Sequence, residues 1–433
     1  MIPRLILLVI GGYFLATMGY ALVQAPFYAS DAHRIVRYVL GPGLLGVGFV
    51  LAAWRLKPSP RLLAAIYSAT IVASLFLFEV IATARTFGLG SGAAAENSAE
   101  AAGAAGFRGA LPPGYTLKRL NADLGIETPS EVFLGGIPGQ KVLLCHRAEG
   151  PVLYTADRYG FRNDDAVHDG DIDVLLLGDS FAEGYCLGEG EHFAAKLGDL
   201  GLGVLNTGTR GAGPLFELAI LERFGPERAP PWTVMLFYGG NDWENLERAM
   251  PLDWLSAAVD GAYLGTPDRP GAERLAAARR LVGEWWAQEE ETVISEEVWD
   301  ATALRNMLAL QKTALTLGLH FPKAPVKIPG YAEVFERAAR TVGEWGGRLL
   351  VVYVPPSEQF TGLLSFPGAY QELPNLVRAA TGQGNVDFLD LSEPFARAAH
   401  PARLYAPDGH FSVEGAEFAA RAVREAMAPG QAP

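Results

Sequence analysis

The sequence predicts an α/β fold, in which a parallel sheet is covered by helices on both faces and is preceded by three transmembrane helices. Two observations indicate this architecture. Three long apolar stretches lie within residues 1–87, and from Asp171 onward short apolar runs alternate with stretches of helical periodicity. With 50% hydrophobic and 19% charged residues, the 433-residue chain is too apolar to be disordered. Its net charge is −13, whereas a nucleic-acid-binding protein needs a basic face, so we expect no nucleic-acid partner.

The three apolar stretches are Leu5–Val23, Tyr38–Trp54 and Leu62–Ala82. The first contains no charged residue and would span about 28 Å as a helix, close to the hydrocarbon thickness of a bilayer. A cleaved signal peptide would explain this stretch but not the two that follow. Buried core helices are the other alternative, which the lack of a polar face disfavours. We therefore predict a membrane domain over residues 1–87, whose helices also offer a surface for a membrane partner.

The basic residues of the short loops predict how this domain is oriented. A cytoplasmic N-terminus puts the larger set inside: Arg4, Arg55, Lys57 and Arg61 lie inside, and Arg34, Arg37 and Arg85 outside. Three crossings then carry the rest of the chain to the far side. The expectation is a multi-pass protein of the bacterial inner membrane, with a C-terminal part that is periplasmic or extracellular.

Two segments precede the alternating region. Residues 88–114 are rich in Gly and Ala and predict a flexible linker, whereas residues 115–170 are polar and irregular and are expected to pack on the domain that follows. Cys145 lies in this second segment and Cys186 lies beyond it. In an oxidising compartment a disulfide between them would close a loop of about 40 residues, worth about 4 kcal/mol in the chain-entropy model. Two buried thiols are the alternative.

The alternating region, residues 171–433, contains the predicted sheet. Strands are expected at Val174–Leu177, Val204–Asn206, Val234–Tyr238, Leu349–Val354 and Val386–Leu391. Helices are expected at Glu191–Leu200, Pro214–Phe224, Tyr331–Trp345, Tyr370–Ala380 and Val413–Met427, the last with Ser412 as its N-cap. An insertion at 243–330, which includes Trp285 and Trp286, is predicted to form a helical cap over the carboxyl edge of the sheet, where ligands bind in such folds.

Four short segments, each after a predicted strand or in the last loop, contain candidate catalytic groups. Ser180 follows the first strand, where a strand-to-helix turn would present its hydroxyl above the sheet. Gly211 and Asn241 follow the second and third strands and could donate a backbone N–H and a side-chain amide to an oxyanion. His410 could act as a general base that Asp408 orients. Each segment alone is equally explained as an ordinary turn or loop, but their order at one sheet edge favours a catalytic site.

These segments together resemble the SGNH hydrolase superfamily, also called GDSL-type esterases. They read Leu177-Gly-Asp-Ser-Phe181, Asn206-Thr-Gly-Thr-Arg-Gly-Ala-Gly213, Tyr238-Gly-Gly-Asn-Asp242 and Asp408-Gly-His410. The resemblance covers about Asp171–Met427. It extends to membrane-tethered bacterial members of the family, in which a Tyr-Gly-Phe-Arg-Asn element, here Tyr159–Asn163, precedes the first segment. It implies a three-layer α/β/α sandwich with five parallel strands.

The resemblance also implies roles for the site residues. Ser180 would be the nucleophile and, with its own N–H, would share the oxyanion hole with Gly211 and Asn241; His410 would be the base and Asp408 its orienting partner. The last block of the family is Asp-x-x-His, whereas this chain has Asp-x-His. A Ser-His dyad is therefore an alternative to the triad.

The implied activity is that of a serine esterase or O-acyltransferase acting on acyl esters, with acetyl expected, of cell-envelope glycans or on a small ester. Such chemistry needs neither a metal ion nor a nucleotide cofactor. Two alternatives stay open: a non-catalytic envelope subunit that binds a glycan or a partner protein, and a lysophospholipase or thioesterase.

Overall fold

The computed structural model describes residues 1–86, 116–126, 128–147, 150–261, 264–267, 270–292, 301–382 and 386–428. The predicted linker at 88–114 lies outside the described residues. The chain divides into two compact units. The helical unit comprises Met1–Ala94, Glu296–Val326 and Glu358–Glu372, and the sheet unit comprises Ala95–Ser295, Lys327–Ser357 and Leu373–Pro433.

We number the main elements in chain order. The helices are α1 Ile2–Val23, α2 Gly41–Arg55, α3 Pro58–Thr86, α4 Leu117–Asp123, α5 Ser180–Glu183, α6 Phe193–Asp199, α7 Pro214–Arg228, α8 Asp242–Ala249, α9 Asp253–Ser256, α10 Ala272–Thr292, α11 Ala301–Leu308, α12 Gln311–Leu317, α13 Tyr331–Glu344, α14 Glu358–Thr361, α15 Glu372–Thr381, α16 Ser392–Ala396 and α17 Val413–Ala426. The strands are β1 Lys141–Arg147, β2 Gly150–Thr155, β3 Val174–Leu177, β4 Val204–Asn206, β5 Trp232–Tyr238, β6 Arg348–Val354 and β7 Asp387–Asp390.

The helical unit contains three spans that are long and apolar enough to cross a membrane, Ile2–Val23, Ala32–Arg55 and Pro58–Ala84. This confirms the predicted three N-terminal helices. The second span begins six residues before the predicted Tyr38. Its start is fixed by Asp31, whose carboxylate accepts a hydrogen bond from the backbone N–H of Arg34.

The sheet unit is built on a five-stranded parallel sheet of order β4-β3-β5-β6-β7, which confirms the predicted α/β fold. Strand β5 starts two residues earlier than predicted because Trp232 pairs with Val174 on one side and Arg348 on the other. The four residues of β3 are all buried, as expected for a central strand with helices on both faces. The carboxyl ends of β4, β3 and β5 lie side by side at one edge.

Residues 116–170 are more ordered than the irregular segment expected from sequence. Strands β1 and β2 form an antiparallel hairpin, and Val142, Leu143 and Leu144 of β1 are buried in the core of the sheet unit. Three consecutive apolar residues show no alternation of apolar and polar side chains, so the sequence alone does not predict this strand.

The insertion predicted at 243–330 is shared between the two units. Helices α8, α9 and α10 belong to the sheet unit, whereas α11 and α12 belong to the helical unit. On α10 the Trp285 side chain is buried, and its indole N–H donates to the Asp123 carboxylate of α4 (3.1 Å). Helix α10 therefore packs on the segment that precedes the sheet.

Candidate active site

Ser180 is the first residue of α5, directly after the turn that ends β3. Gly178 in this turn has φ +151°, and a Cβ there would lie 2.8 Å from the Cβ of Ala182. Only glycine therefore fits this close approach without a shift. Asp179 caps the helix by accepting a hydrogen bond from the N–H of Phe181 (2.9 Å). The turn thus holds the Ser180 hydroxyl at the carboxyl edge of the sheet.

The Ser180 hydroxyl contacts the imidazole of His410, which lies 230 residues further along the chain. The Oγ–Nε2 distance is 2.9 Å, which is hydrogen-bonding reach for a nucleophile and its base. The ring of His410 lies between aromatic rings, with centroids 5.1 Å from Phe181 and 4.6 Å from Tyr185. These rings restrict the imidazole to the orientation that faces Ser180.

Asp408 lies near the second ring nitrogen of His410, Nδ1, at a longer distance than Ser180 lies from Nε2. Its Oδ2 is 3.5 Å from Nδ1 of His410, while its Oδ1 accepts the backbone N–H of His410 at 3.1 Å. The turn between them is made by Gly409 at φ +90°. Burial alone would raise the pKa of the Asp408 carboxyl, but the side chain and the backbone N–H of His410 lower it below its usual value. A spacing of two residues thus still brings a charged carboxylate near Nδ1, but at 3.5 Å this nitrogen has no hydrogen-bond partner among the described residues.

Gly211 and Asn241 follow β4 and β5, the two neighbours of β3. Gly211 has φ +71°, and a Cβ there would lie 3.2 Å from the Thr116 side chain. Asn241 precedes α8, and its buried Oδ1 has no hydrogen-bond partner among the described residues. Both residues therefore lie in loops at the sheet edge that carries Ser180.

A network of hydrogen bonds from Arg162 and Asn163 supports the Ser180 helix. Arg162 donates to the carbonyl oxygens of Glu183 (3.1 Å), Gly184 (2.7 Å) and Leu187 (2.7 Å), at and just beyond the end of α5. Its neighbour Asn163 donates to the carbonyl oxygen of Asn206 (2.9 Å) and accepts from its N–H (2.9 Å) at the end of β4. The Tyr-Gly-Phe-Arg-Asn element thus joins two of the loops that form the site.

Cys145 and Cys186 form a disulfide with a Cα–Cα distance of 5.4 Å. It connects β1 to the turn after α5. The element that precedes the sheet is therefore attached to the Ser180 helix covalently as well as through Arg162.

Three acidic side chains are fully buried beneath the site: Asp179, Glu217 and Asp242. Burial raises the pKa of each carboxyl, and the charge of Asp179 raises the pKa of Glu217 and of Asp242 further. Lys118 of α4 provides the nearby positive charge and donates its Nζ to the carbonyl oxygen of Ala212 (2.6 Å). Burial lowers the pKa of Lys118 to about 8 despite the attraction of Asp242 and Glu217.

The predicted catalytic residues therefore divide into two groups by their contacts. Ser180 hydrogen-bonds to His410, which has Asp408 beside it at 3.5 Å, and Gly211 and Asn241 lie in adjacent loops. Among the described residues, no group of three or more His, Cys, Asp or Glu side chains is arranged to hold a metal ion.

Comparison with known families adds to this geometry. The model of the GDSL-like lipase/acylhydrolase family matches residues 176–418, more than half of the chain. The chain belongs to this family. The match spans β3 to α17, and so it includes the segments of Ser180, Gly211, Asn241 and His410 of this GDSL-like domain. A search of curated proteins found no significant match to the chain. Family membership supports an esterase or acylhydrolase activity that acts on an ester substrate.

Proposed function

We propose that this GDSL-like protein is a membrane-anchored serine esterase or O-acyltransferase that acts on acyl esters of cell-envelope glycans, with acetyl as the acyl group. The observation that carries the proposal is the 2.9 Å contact between Ser180 Oγ and His410 Nε2. A hydroxyl is a weak nucleophile until an adjacent base removes its proton, and this pair supplies both groups.

The proposed reaction has two steps. As Ser180 Oγ attacks the ester carbonyl carbon, its proton passes to His410 Nε2, and the carbonyl oxygen becomes an oxyanion. The backbone N–H groups of Ser180 and Gly211 and the side-chain amide of Asn241 donate hydrogen bonds to that oxyanion. Collapse of the tetrahedral intermediate breaks the ester C–O bond, and His410 returns the proton to the departing alcohol. Water or a sugar hydroxyl then attacks the acyl-enzyme, which yields the free acid or a new ester.

In this proposal Asp408 orients His410 and stabilises the imidazolium that forms. Its hydrogen bond to the backbone N–H of His410 fixes the loop, and its lowered pKa keeps it charged at neutral pH. No metal or nucleotide takes part.

The location of the substrate is inferred from the membrane helices and the disulfide. The loop charges favour a cytoplasmic N-terminus in the bacterial inner membrane, which puts the sheet unit on the periplasmic side. The Cys145–Cys186 disulfide fits an oxidising compartment. A domain anchored on that side of the membrane would face the polysaccharides of the envelope, which is why we propose a glycan substrate.

Labelling of the full-length protein in detergent with a fluorophosphonate, together with hydrolysis of an aryl acetate, tests the nucleophile. Ser180→Ala should abolish labelling and lower kcat by about 10³-fold or more. The matched control is Ser392→Ala, because Ser392 is also buried (6% exposed, against 8% for Ser180) and should leave both signals intact. Wild-type protein that is folded and active in neither assay would instead support the non-catalytic alternative.

Hydrolysis and transfer are separated by the fate of the acyl group. When a deacetylated envelope oligosaccharide is added to the aryl acetate reaction, a transferase should yield acetylated oligosaccharide at the expense of free acetate. An esterase should release acetate at an unchanged rate, and should remove acetyl groups from the acetylated oligosaccharide.

A further inference from the structure

The helical unit contains two segments that lie far downstream of the spanning helices in sequence, Glu296–Val326 and Glu358–Glu372. In the first, α11 and α12 form a short helical hairpin joined by Ala309 and Leu310. The contacts of this hairpin with α1 and α3 define how deep it lies relative to the spans.

Two polar side chains of the spans hold the tip of the hairpin. The hydroxyl of Tyr13, the twelfth of the 22 residues of α1, donates to the carbonyl oxygen of Leu308 (2.7 Å). The carboxylate of Glu79 accepts hydrogen bonds from the N–H of Lys312 and from the N–H and hydroxyl of Thr313, each 2.8 Å long. At 1.5 Å per residue, Tyr13 is about 15 Å from the end of α1 and Glu79 about 10 Å from the end of α3. Because a hydrocarbon core is about 30 Å thick, the tip lies between about a third and half of the way across it.

The backbone groups at the tip are satisfied within the protein, as that depth requires. The N–H groups of Ala309 and Leu310 donate to the carbonyl oxygens of Arg305 (2.9 Å) and Met307 (3.1 Å). The neighbouring backbone groups bond to the spans: the carbonyl oxygen of Leu308 accepts from Tyr13, and the N–H groups of Lys312 and Thr313 donate to Glu79. This explains why an acidic side chain that is only 1% exposed stands in an otherwise apolar helix.

The far end of the hairpin is held by arginines at the start of the second span. Arg34 donates to the carbonyl oxygen of Phe321 (2.6 Å), and Arg37 donates to that of Leu319 (3.3 Å). Helices α11 and α12 have 8 and 7 residues, so each is about 10–12 Å long. That length matches the depth of Tyr13 and Glu79, and the hairpin therefore enters and leaves on one side of the membrane.

Both downstream segments expose several large apolar side chains, in the first of them beside the exposed Arg305. Among the described residues after the third span, the exposed large hydrophobic side chains are Leu200, Val413 and six in these segments, namely Leu304, Leu308, Val326, Leu363, Leu364 and Phe366. The second segment continues from the hairpin, because the N–H groups of Leu363 and Leu364 donate to the carbonyl oxygens of Thr316 (2.9 Å) and Leu317 (3.1 Å). Residues 361–371 carry no charge. These side chains extend the lipid-facing surface of the spans.

We infer that α11 and α12 form a re-entrant hairpin within the bilayer, and that residues 361–367 contact lipid near its surface. The partner of this surface is the acyl chains of the bilayer that holds α1–α3. The inference does not depend on the chemistry proposed for Ser180.

Depth-dependent quenching of the full-length protein in lipid bilayers tests this. Both native cysteines form the disulfide, so an introduced cysteine is the one thiol available to a bimane probe. Bilayers are prepared with bromine atoms either near the acyl-chain centre or near the headgroup. Leu308→Cys should be quenched most by the deep bromines, and Leu363→Cys by the shallow ones. Leu77→Cys, on the exposed face of α3, is the lipid-facing reference.

The negative control is Leu200→Cys in the sheet unit, with an exposure of 38% against 47% for Leu308. Leu304→Cys provides a second probe of α11 if the first variant does not yield monodisperse protein. Quenching at both hairpin positions no greater than at Leu200→Cys would overturn the inference.

The two anchors are tested in the Leu308→Cys protein. Tyr13→Phe removes one donor and Glu79→Gln removes a charged acceptor, and each should reduce the deep quenching. Tyr20→Phe, a loss of one half-exposed hydroxyl on the same helix, should change nothing. Unchanged quenching in both anchor variants would overturn the assignment of Tyr13 and Glu79.

Discussion

Glu183 and Arg210 form a buried ion pair that joins the helix of Ser180 to the loop of Gly211. Two guanidinium nitrogens of Arg210 donate to the two carboxylate oxygens of Glu183, at 2.9 and 2.7 Å, and both side chains are at most 9% exposed. Burial would raise the pKa of the Glu183 carboxyl, but Arg210 lowers it below its usual value. The pair therefore stays charged and fixes the spacing between the predicted nucleophile and one predicted oxyanion donor.

Breaking this pair from one side should be costly. Glu183→Gln removes the carboxylate charge that faces the buried Arg210, which we expect to destabilise the protein by about 3–5 kcal/mol and to lower kcat for an aryl acetate. Thermal unfolding of the full-length protein in detergent measures the first effect. The double substitution Glu183→Leu with Arg210→Met should recover much of the stability, because no charge is then left unpaired. A wild-type melting temperature in Glu183→Gln would contradict a structural role for the pair.

The loose Asp408–His410 contact predicts a modest catalytic contribution. The Asp408 carboxylate is 3.5 Å from Nδ1 of His410, and its side chain is 40% exposed. Asp408→Asn should therefore lower kcat about tenfold, or by about 1.4 kcal/mol, whereas loss of a buried triad aspartate costs ~10⁴-fold. His410→Gln should remove nearly all activity and is the comparison. Because the pKa of Asp408 is lowered, it stays ionised from pH 6 to 8, so its own titration adds no pH dependence to the loss in that range. A kcat of Asp408→Asn as low as that of His410→Gln would show a full triad.

Reduction of the Cys145–Cys186 disulfide should destabilise the sheet unit. The cysteines are 41 residues apart, for which the chain-entropy model gives about 4 kcal/mol. A reductant should therefore lower the melting temperature of the wild type, whereas the double substitution Cys145→Ala with Cys186→Ala should already melt at the lower temperature and not respond. An equal response of both proteins would assign the effect of the reductant to something other than this bond.

The buried carboxyl of Glu217 predicts that stability falls as the pH rises above the pKa of an ordinary glutamate. Burial and the neighbouring Asp179 raise its pKa well above the usual value, so the folded protein holds a proton that the unfolded chain releases above about pH 4.3. Stability contributed by this proton falls as the pH rises toward the raised pKa. Glu217→Gln, which is permanently neutral, should gain stability over wild type between pH 5 and 8.5. Thermal melts of both proteins at pH 5 and at pH 8.5 measure this gain. A difference in melting temperature between variant and wild type that is the same at both pH values would contradict the prediction.

The fold was predictable because its signals are local. Apolar length identified the three spans, and short Val-, Leu- and Phe-rich runs identified the five strands, two of them, Val174–Leu177 and Val204–Asn206, to the residue. Strand ends shifted where pairing with a neighbour extended the ladder, as at Trp232. Such pairing depends on residues distant in sequence and leaves no periodic signal.

The candidate site was only partly predictable for the same reason. Ser180, Gly211, Asn241 and His410 stand next to strand ends or a helix start, where a motif is visible. Arg162, by contrast, acts through carbonyl oxygens, which every residue possesses, so nothing in the sequence indicates its partners. The division of residues 243–330 between two units was likewise hidden, because the hydrogen bonds of Glu79 join positions 233 and 234 residues apart.

That separation also has a consequence for biosynthesis. Glu79 leaves the ribosome more than two hundred residues before Lys312 and Thr313. At about 5–20 residues per second, the interval is roughly 10–50 s, during which α3 must reside among its neighbours without the donors that finally satisfy this carboxylate. Assembly of the anchor is therefore completed only after most of the polypeptide has been translated, and a nascent chain stalled before Thr313 would expose an unsatisfied acid to the quality-control proteases of the membrane.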